Sequence, residues 1–175
     1  LNLFVPTVKI SEASQHDIAA AKKTGIRILS LAADTHYIEA DAINAPGFSN
    51  ENASLLLPLK KQLVWLYLGN TQVSDGGLKT ISQLSSLTRL QLENTSVSDS
   101  GMQYISSLKQ LKYLNLTGTR VTDAGIIQLS SLLQLKELYV GNTSVTARGA
   151  NALRLKLPKL LIDTGGYQIP KLPSD

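Results

Sequence analysis

The chain repeats itself every 24 residues. Leu66, Leu90, Leu114 and Leu138 occupy one position in four successive copies, and Leu68, Leu92, Leu116 and Val140 another. Thr71, Thr95, Thr119 and Thr143 recur, as do Val73, Val97, Val121 and Val145, then Gly77, Gly101, Gly125 and Gly149. Asp75, Asp99 and Asp123 share a further position, where Ala147 breaks the series. The unit is L-x-x-L-x-L-x-x-T-x-V-[ST]-D-x-G-[LMI]-x-x-[IL]-x-x-L-x-x, with copies starting at Leu63, Leu87, Leu111 and Leu135. A unit this short cannot bury its own apolar face, so the pattern restricts the chain to an array of stacked coils. Composition agrees. Of 175 residues 31 are Leu, against one Trp, six Tyr and two Phe, so Leu has to fill the core.

The unit reads as strand, turn, helix, turn. L-x-L alternates at period 2, which makes a short strand with both Leu side chains inward. The Ser or Thr at 74, 98, 122 and 146 is a good helix N-cap, and the Asp after it falls where the helix dipole favours negative charge. Gly77 and its equivalents let the backbone approach its neighbour closely. Leu78, Ile81 and Leu84, at i, i+3 and i+6, give the helix one apolar face.

This pattern resembles the leucine-rich repeat. The resemblance implies an α/β right-handed solenoid with a parallel sheet on its concave face and short helices on its convex face. The usual repeat carries Asn or Cys three residues after the second strand Leu, and that side chain hydrogen-bonds turn backbone. Here Thr71, Thr95, Thr119 and Thr143 stand there, so a buried Thr ladder is expected in its place, since a hydroxyl both donates and accepts.

The ends depart from the period. Residues 1–37 are expected to form an N-terminal cap of strand, helix and strand: Val8 and Ile10, then a helix from Ser11 as N-cap to Lys23 with Gly25 as its stop, then Ile26, Ile28 and Leu31. Residues 38–62 read as a degenerate first repeat, with Ile38 and Ala40 for L-x-L, Phe48-Ser49-Asn50 for V-S-D, and Leu56 and Leu59 for the helix face. Residues 63–163 hold four regular repeats and a terminal strand, Leu160 to Asp163. Leu157 and Leu160 sit one residue late, and Pro158 closes the preceding helix. Residues 164–175 are a tail: Thr164-Gly165-Gly166 turns the chain away, and Ile169 to Asp175 is read as a short cap or an unstructured end. The chain begins at Leu1 and not Met, which suggests a mature product or a piece of a larger protein.

The spelling T-x-V-[ST]-D-x-G-[LMI] is narrower than the general repeat. With Leu55 to Leu66, with Tyr113-Leu-Asn-Leu-Thr-Gly-Thr119, and with Leu157-Pro158 followed by Asp163-Thr-Gly165, it resembles the C-terminal repeat portion of exported bacterial multi-domain proteins that also carry a c-type cytochrome-like domain. The resemblance implies periplasmic or cell-surface localisation and a longer parent protein. It places no haem here, because C-x-x-C-H is absent.

Several function classes fall away. With no Cys there is no disulfide scaffold, Cys-based zinc site or thiol nucleophile within these residues. His16 and His36 have no catalytic partner at a recognisable spacing, so no catalytic residue is assigned. One carboxylate per coil does not converge on a metal, and neither metal nor cofactor is expected. No apolar run approaches the ~18 residues that would span a bilayer, so no membrane insertion is expected. The charge of +4 is spread over both ends and the coils with no long basic run, which argues against nucleic acid.

The site expectation rests on strand alternation. With Leu66 and Leu68 inward, residues 65, 67 and 69 point outward, and so on in each coil. Three rows follow: Trp65, Arg89, Tyr113, Glu137; then Tyr67, Gln91, Asn115, Tyr139; then Gly69, Glu93, Thr117, Gly141. Arg89 between Trp65 and Tyr113 is placed for cation–π contacts, and Glu137 for pairing with Lys136 or an Arg. Aromatics with Arg are what interface anchors are made of. The expectation is a non-enzymatic protein-recognition or scaffolding module. A glycan-binding module on the same aromatic face and an intracellular adaptor or secreted effector are the alternatives.

Overall fold

The structure is a computed structural model and describes residues 4–32 and 35–166. Seven strands lie side by side in chain order. β1 (Arg27–Ser30) pairs antiparallel with β2 (Ile38–Asp41). From there every pairing is parallel, through β3 (Leu63–Tyr67), β4 (Arg89–Gln91), β5 (Tyr113–Asn115), β6 (Glu137–Tyr139) and β7 (Leu161–Asp163). Each crossover returns along a short helix: α2 (Asp75–Ile81), α3 (Asp99–Ile105), α4 (Asp123–Ile126) and α5 (Ala147–Lys156). The central Leu of each regular strand is fully buried and its two neighbours are half-buried. Period-2 alternation therefore puts one face on the core and leaves the other open.

The core is a column of aligned side chains. Leu66, Leu90, Leu114 and Leu138 are all 0% exposed, and Leu78, Ile81 and Leu84 close over them from the helix side. Leaving each strand, the chain turns through a left-handed residue at one repeat position: Asn70, Asn94 and Asn142 at φ 59°, 55° and 53°, and Gly118 at φ 70°. Asn and Gly tolerate that region best. The Thr hydroxyls act just beyond it. Thr71, Thr95, Thr119 and Thr143 donate to the carbonyls of Leu68, Leu92, Leu116 and Val140, at 2.7, 2.7, 2.6 and 2.6 Å. Each bond stays inside its own coil, and Thr143 is only half-buried. The Thr series is four separate turn locks, not a chain of bonds running from coil to coil.

The Asp series supplies a repeating set of side-chain bonds between coils. Asp75 Oδ1 accepts from the Ser98 N–H at 2.8 Å and Oδ2 from the Ser98 hydroxyl at 2.5 Å. Asp99 receives Thr122 in the same way at 2.7 and 2.6 Å, and Asp123 receives Thr146 at 2.7 and 2.7 Å. Asn50 does this for Ser74, accepting from its N–H at 2.9 Å and donating to its hydroxyl at 2.8 Å. Each carboxylate thus grips the N-cap residue of the next coil. The Gly two residues into that coil's helix leaves the space: a Cβ on Gly125 would lie 2.1 Å from Asp99 Oδ1, and one on Gly149 2.0 Å from Asp123 Oδ1. The dipole account of these Asp residues was incomplete, because their partners lie 23 residues downstream.

The N-terminal region differs from expectation in two respects. Val8 and Ile10 form no strand; residues 5–14 run without a sheet partner. Pro6 lacks an N–H, and the carbonyls of Val8 and Ser11 are taken by side chains, the Tyr37 hydroxyl at 2.9 Å and Gln62 Nε2 at 3.0 Å. The first helix, α1 (Gln15–Lys22), is capped by Ser14, whose hydroxyl accepts from the Asp17 N–H, and not by Ser11. Residues 52–59 form a 3-10 helix containing Pro58, with Leu56 and Leu59 fully buried. Another 3-10 turn, Ile127–Ser131, follows α4. At the other end α5 runs 10 residues against 7 in α2 and α3, which absorbs the late Leu157. β7 then returns to register, with Leu138 beside Ile162. The expectation for the tail beyond residue 166 lies outside the described residues.

Candidate recognition surface on the open sheet face

The strands bring the expected residues together. Trp65, Arg89, Tyr113 and Glu137 are register neighbours in one row, and Tyr67, Gln91, Asn115 and Tyr139 in the next. All eight are half-buried on the face turned away from the core. Adjacent parallel strands are about 4.8 Å apart, so the eight side chains form one continuous strip.

Arg89 sits at the centre of an aromatic enclosure. Its guanidinium carbon is 5.3 Å from the Trp65 ring centroid and 4.2 Å from that of Tyr113. A third ring, Phe4, lies 5.4 Å away and comes from the N-terminal arm. The Phe4 carbonyl accepts from the Thr88 hydroxyl at 2.5 Å, which places the arm against the start of β4. Part of the first row is therefore covered by the chain itself. No local sequence signal marks Phe4 for this, because its partners lie 84 or more residues away in the chain. Under this cover Trp65 Nε1 and Arg89 Nε are buried without a hydrogen-bond partner.

The far half of the strip is open. Tyr113 and Tyr139 lie 5.1 Å apart, their rings tilted by 36°. Glu137 does not pair with Lys136 or an Arg; its Oε2 accepts from the Tyr139 hydroxyl at 3.2 Å. The short strand points the Lys136 side chain elsewhere, while Tyr139, two residues on, shares the face of Glu137. Asn115 is held by Glu93, to which its Nδ2 donates at 3.3 Å, and by the Thr117 N–H, which its Oδ1 accepts at 3.0 Å. Arg154 of α5 reaches round to the carbonyl of Ile162 at 2.9 Å and occupies one acceptor on the last strand.

Burial shapes the electrostatics of the strip. It pushes the Tyr113 hydroxyl up to about 12, with Tyr139, Glu137 and Glu93 adding to the effect and Arg89 opposing it. The Tyr67 and Tyr139 hydroxyls are also raised, again chiefly by burial. Glu39 at the β2 end is raised by burial and by its neighbour Asp41. The tyrosines therefore stay neutral near pH 7 and serve as hydrogen-bonding groups. His16 is exposed on α1 beside Asp17, at 3.4 Å, and His36 is exposed before β2. Neither belongs to the strip. Among the described residues no three His, Asp or Glu side chains cluster as a metal site, and no helix is long and apolar enough to cross a membrane.

A family model described as "Leucine Rich repeat" matches residues 83–106 and 108–130. No curated protein matches the chain. Among solved structures, an internalin of Listeria monocytogenes strain 4b F2365 is similar at 25% identity and a TM-score of 0.54; the match covers 66% of this chain and 32% of that one. A leucine-rich-repeat protein of Leptospira interrogans shows 22% identity and a TM-score of 0.47, over 61% of this chain and 27% of that one. The Arabidopsis receptor kinase HAESA, solved in complex with the peptide hormone IDA and the co-receptor SERK1, shows 16% identity and a TM-score of 0.44, over 67% and 19%. The chain thus spans about a third or less of the length of these structures. The recurring strands, turns and helices agree with the two matched coils: the described residues have the leucine-rich-repeat fold, a solenoid with one continuous, mostly parallel sheet.

Proposed function

We propose that the chain is a non-enzymatic recognition module that binds a protein partner through the open sheet face. The observation that carries this is the paired rings of Tyr113 and Tyr139 on the uncovered half of the sheet, continuous with Arg89 and Trp65 beneath the arm. Such groups bury large area at low entropic cost, which is what a binding anchor requires. Gln91, Asn115 and Glu137 flank them and supply polar discrimination. Internalin-like solenoids share the fold, and the leucine-rich-repeat fold is widely used for protein recognition, which supports a binding role.

The test is capture from an extract of the source organism with the immobilised chain, compared with a Tyr113→Ala/Tyr139→Ala variant and a Lys79→Glu variant on the convex side. A partner lost by the first and kept by the second supports the reading. A partner set unchanged by the double substitution refutes it. The same two variants on a glycan array separate a sugar ligand from a protein ligand. The exported, multi-domain setting rests on the resemblance of the repeat spelling, and the sequence upstream of residue 1 tests it: membrane segments and a C-x-x-C-H motif would support it.

A further inference from the structure

Residues 4–14 make no sheet pairing; side chains of the solenoid hold them. Three donors do so, each immediately ahead of a strand. Tyr37, before β2, donates to the Val8 carbonyl; Gln62, before β3, to the Ser11 carbonyl; Thr88, before β4, to the Phe4 carbonyl. All three are buried, at 4%, 6% and 1% exposure. Side chains that read main-chain carbonyls recognise an extended backbone whatever its sequence. The specific element is the ring of Phe4, 3% exposed, set beside Arg89.

The arm fits this seat imperfectly. Beside it Trp65 Nε1 and Arg89 Nε are buried, and the arm gives neither an acceptor. Native structures satisfy nearly all such donors, so two together at one contact point to a missing ligand group. Among the described residues no carboxylate lies within ion-pairing distance of Arg89. Beyond Phe4 the arm is half-buried or exposed as far as Glu12, with Val8 at 69%, so Phe4 and the three carbonyl contacts are what hold it.

We propose that the strip from Tyr37 to Arg89 is a seat for an extended peptide carrying an aromatic side chain beside a carboxylate, and that Phe4 to Ser11 occupy it as a displaceable stand-in. The aromatic ring replaces Phe4 and the carbonyls replace those of the arm. The carboxylate accepts from Arg89 Nε and faces a guanidinium set among rings and the Tyr67 hydroxyl, with Glu39 acting on it only at longer range. This rests on the open face being a recognition surface, and it names the class of partner.

Trp65 is the single Trp in the chain, so its emission reports on the seat directly. The full chain is compared with Phe4→Ala and with Phe4→Leu, which weaken the arm's ring contact and leave every donor of the seat in place. The probes are an acetylated peptide of residues 4–14 and the same peptide with Val5→Asp. Phe4→Ala should shift Trp65 emission to longer wavelength while far-ultraviolet circular dichroism stays unchanged. It should bind the Asp peptide about tenfold tighter than the wild-type chain does, because a tethered competitor has been removed. Phe4→Leu should fall between the two, and it carries the test alone if Phe4→Ala does not fold. The Asp peptide should bind about fivefold tighter than the plain one, and Arg89→Gln should erase that difference, as expected for loss of a charge-assisted contact. The proposal is overturned if Trp65 emission ignores both loosening substitutions, if neither raises affinity, or if the two peptides bind alike. The emission readout needs no natural partner, so failure of the seat and failure of the wider recognition surface are separate results.

Discussion

Replacing Gly125 by Ala should destabilise the solenoid through Asp99, a residue in the preceding coil. The new Cβ would sit 2.1 Å from Asp99 Oδ1 and 2.9 Å from a Val121 methyl. The carboxylate is the movable group, so it leaves, and with it go the bonds from the Thr122 N–H at 2.7 Å and hydroxyl at 2.6 Å. A hydrogen bond to a charged group is worth about 1.5–3 kcal/mol, and the site is half-exposed, so the low end applies: about 3 kcal/mol for the pair. Crowding against Val121 adds about 1 kcal/mol, and the gain of about 1 kcal/mol for Ala over Gly in a helix offsets it. Asp99→Ala loses the same two bonds and should cost a similar ~3 kcal/mol. If one interaction underlies both, the double variant should cost about 3–4 kcal/mol and not ~6, a coupling of about 2–3 kcal/mol. Equilibrium urea denaturation followed by circular dichroism measures this, provided the m-value is unchanged. Costs that add to within about 0.5 kcal/mol would refute the idea that Gly125 exists to seat Asp99.

Other expectations are as direct. Leu114→Ala, at 0% exposure in the middle of the stack, should cost about 2–5 kcal/mol by denaturant melting. Thr95→Val removes the hydroxyl bond to Leu92 and should cost about 1 kcal/mol; hydrogen exchange should show the loss confined to its own coil. Tyr113 is raised in the folded chain above its ordinary 10.0, so the stability it brings is complete below pH 10 and is lost as pH climbs towards about 12. Tyr113→Phe should remove the latest step from a tyrosinate absorbance titration. Asp123 is held below the ordinary carboxylate range by the Thr146 N–H and then the Thr146 hydroxyl. Its contribution is present above the ordinary value of 3.8 and disappears as pH falls through the folded one, so Asp123→Asn should flatten the acid limb of a stability profile.

What could be seen in the sequence divides along a physical line. Contacts within a coil repeat at a fixed short spacing, so the L-x-L strands, the Thr and Val positions and the outward rows were legible. Register followed from the period, and Trp65, Arg89 and Tyr113 meet where alternation put them. Contacts between coils need the pitch of the stack, which no local rule supplies, so Asp75, Asp99 and Asp123 read only as helix-start charges. One trace was present: the Asp series breaks at Ala147, at the start of α5, the last helix among the described residues. The arm left no trace of either kind. Phe4 belongs to no repeat, and a single Phe near a chain end carries no address for Arg89.

The Asp-to-N-cap contact has a direction, and the direction matters for how the protein is made. Every acceptor lies in the earlier coil and every donor in the later one. A chain emerging from the ribosome, amino end first, presents the acceptor before its partner is synthesised, so each new coil can dock on a finished template. An array cut short at its carboxyl side leaves a carboxylate that water solvates readily. One cut at its amino side leaves an N-cap residue and a helix start with nothing to grip. The solenoid therefore tolerates loss of coils at its carboxyl side more readily than at its amino side.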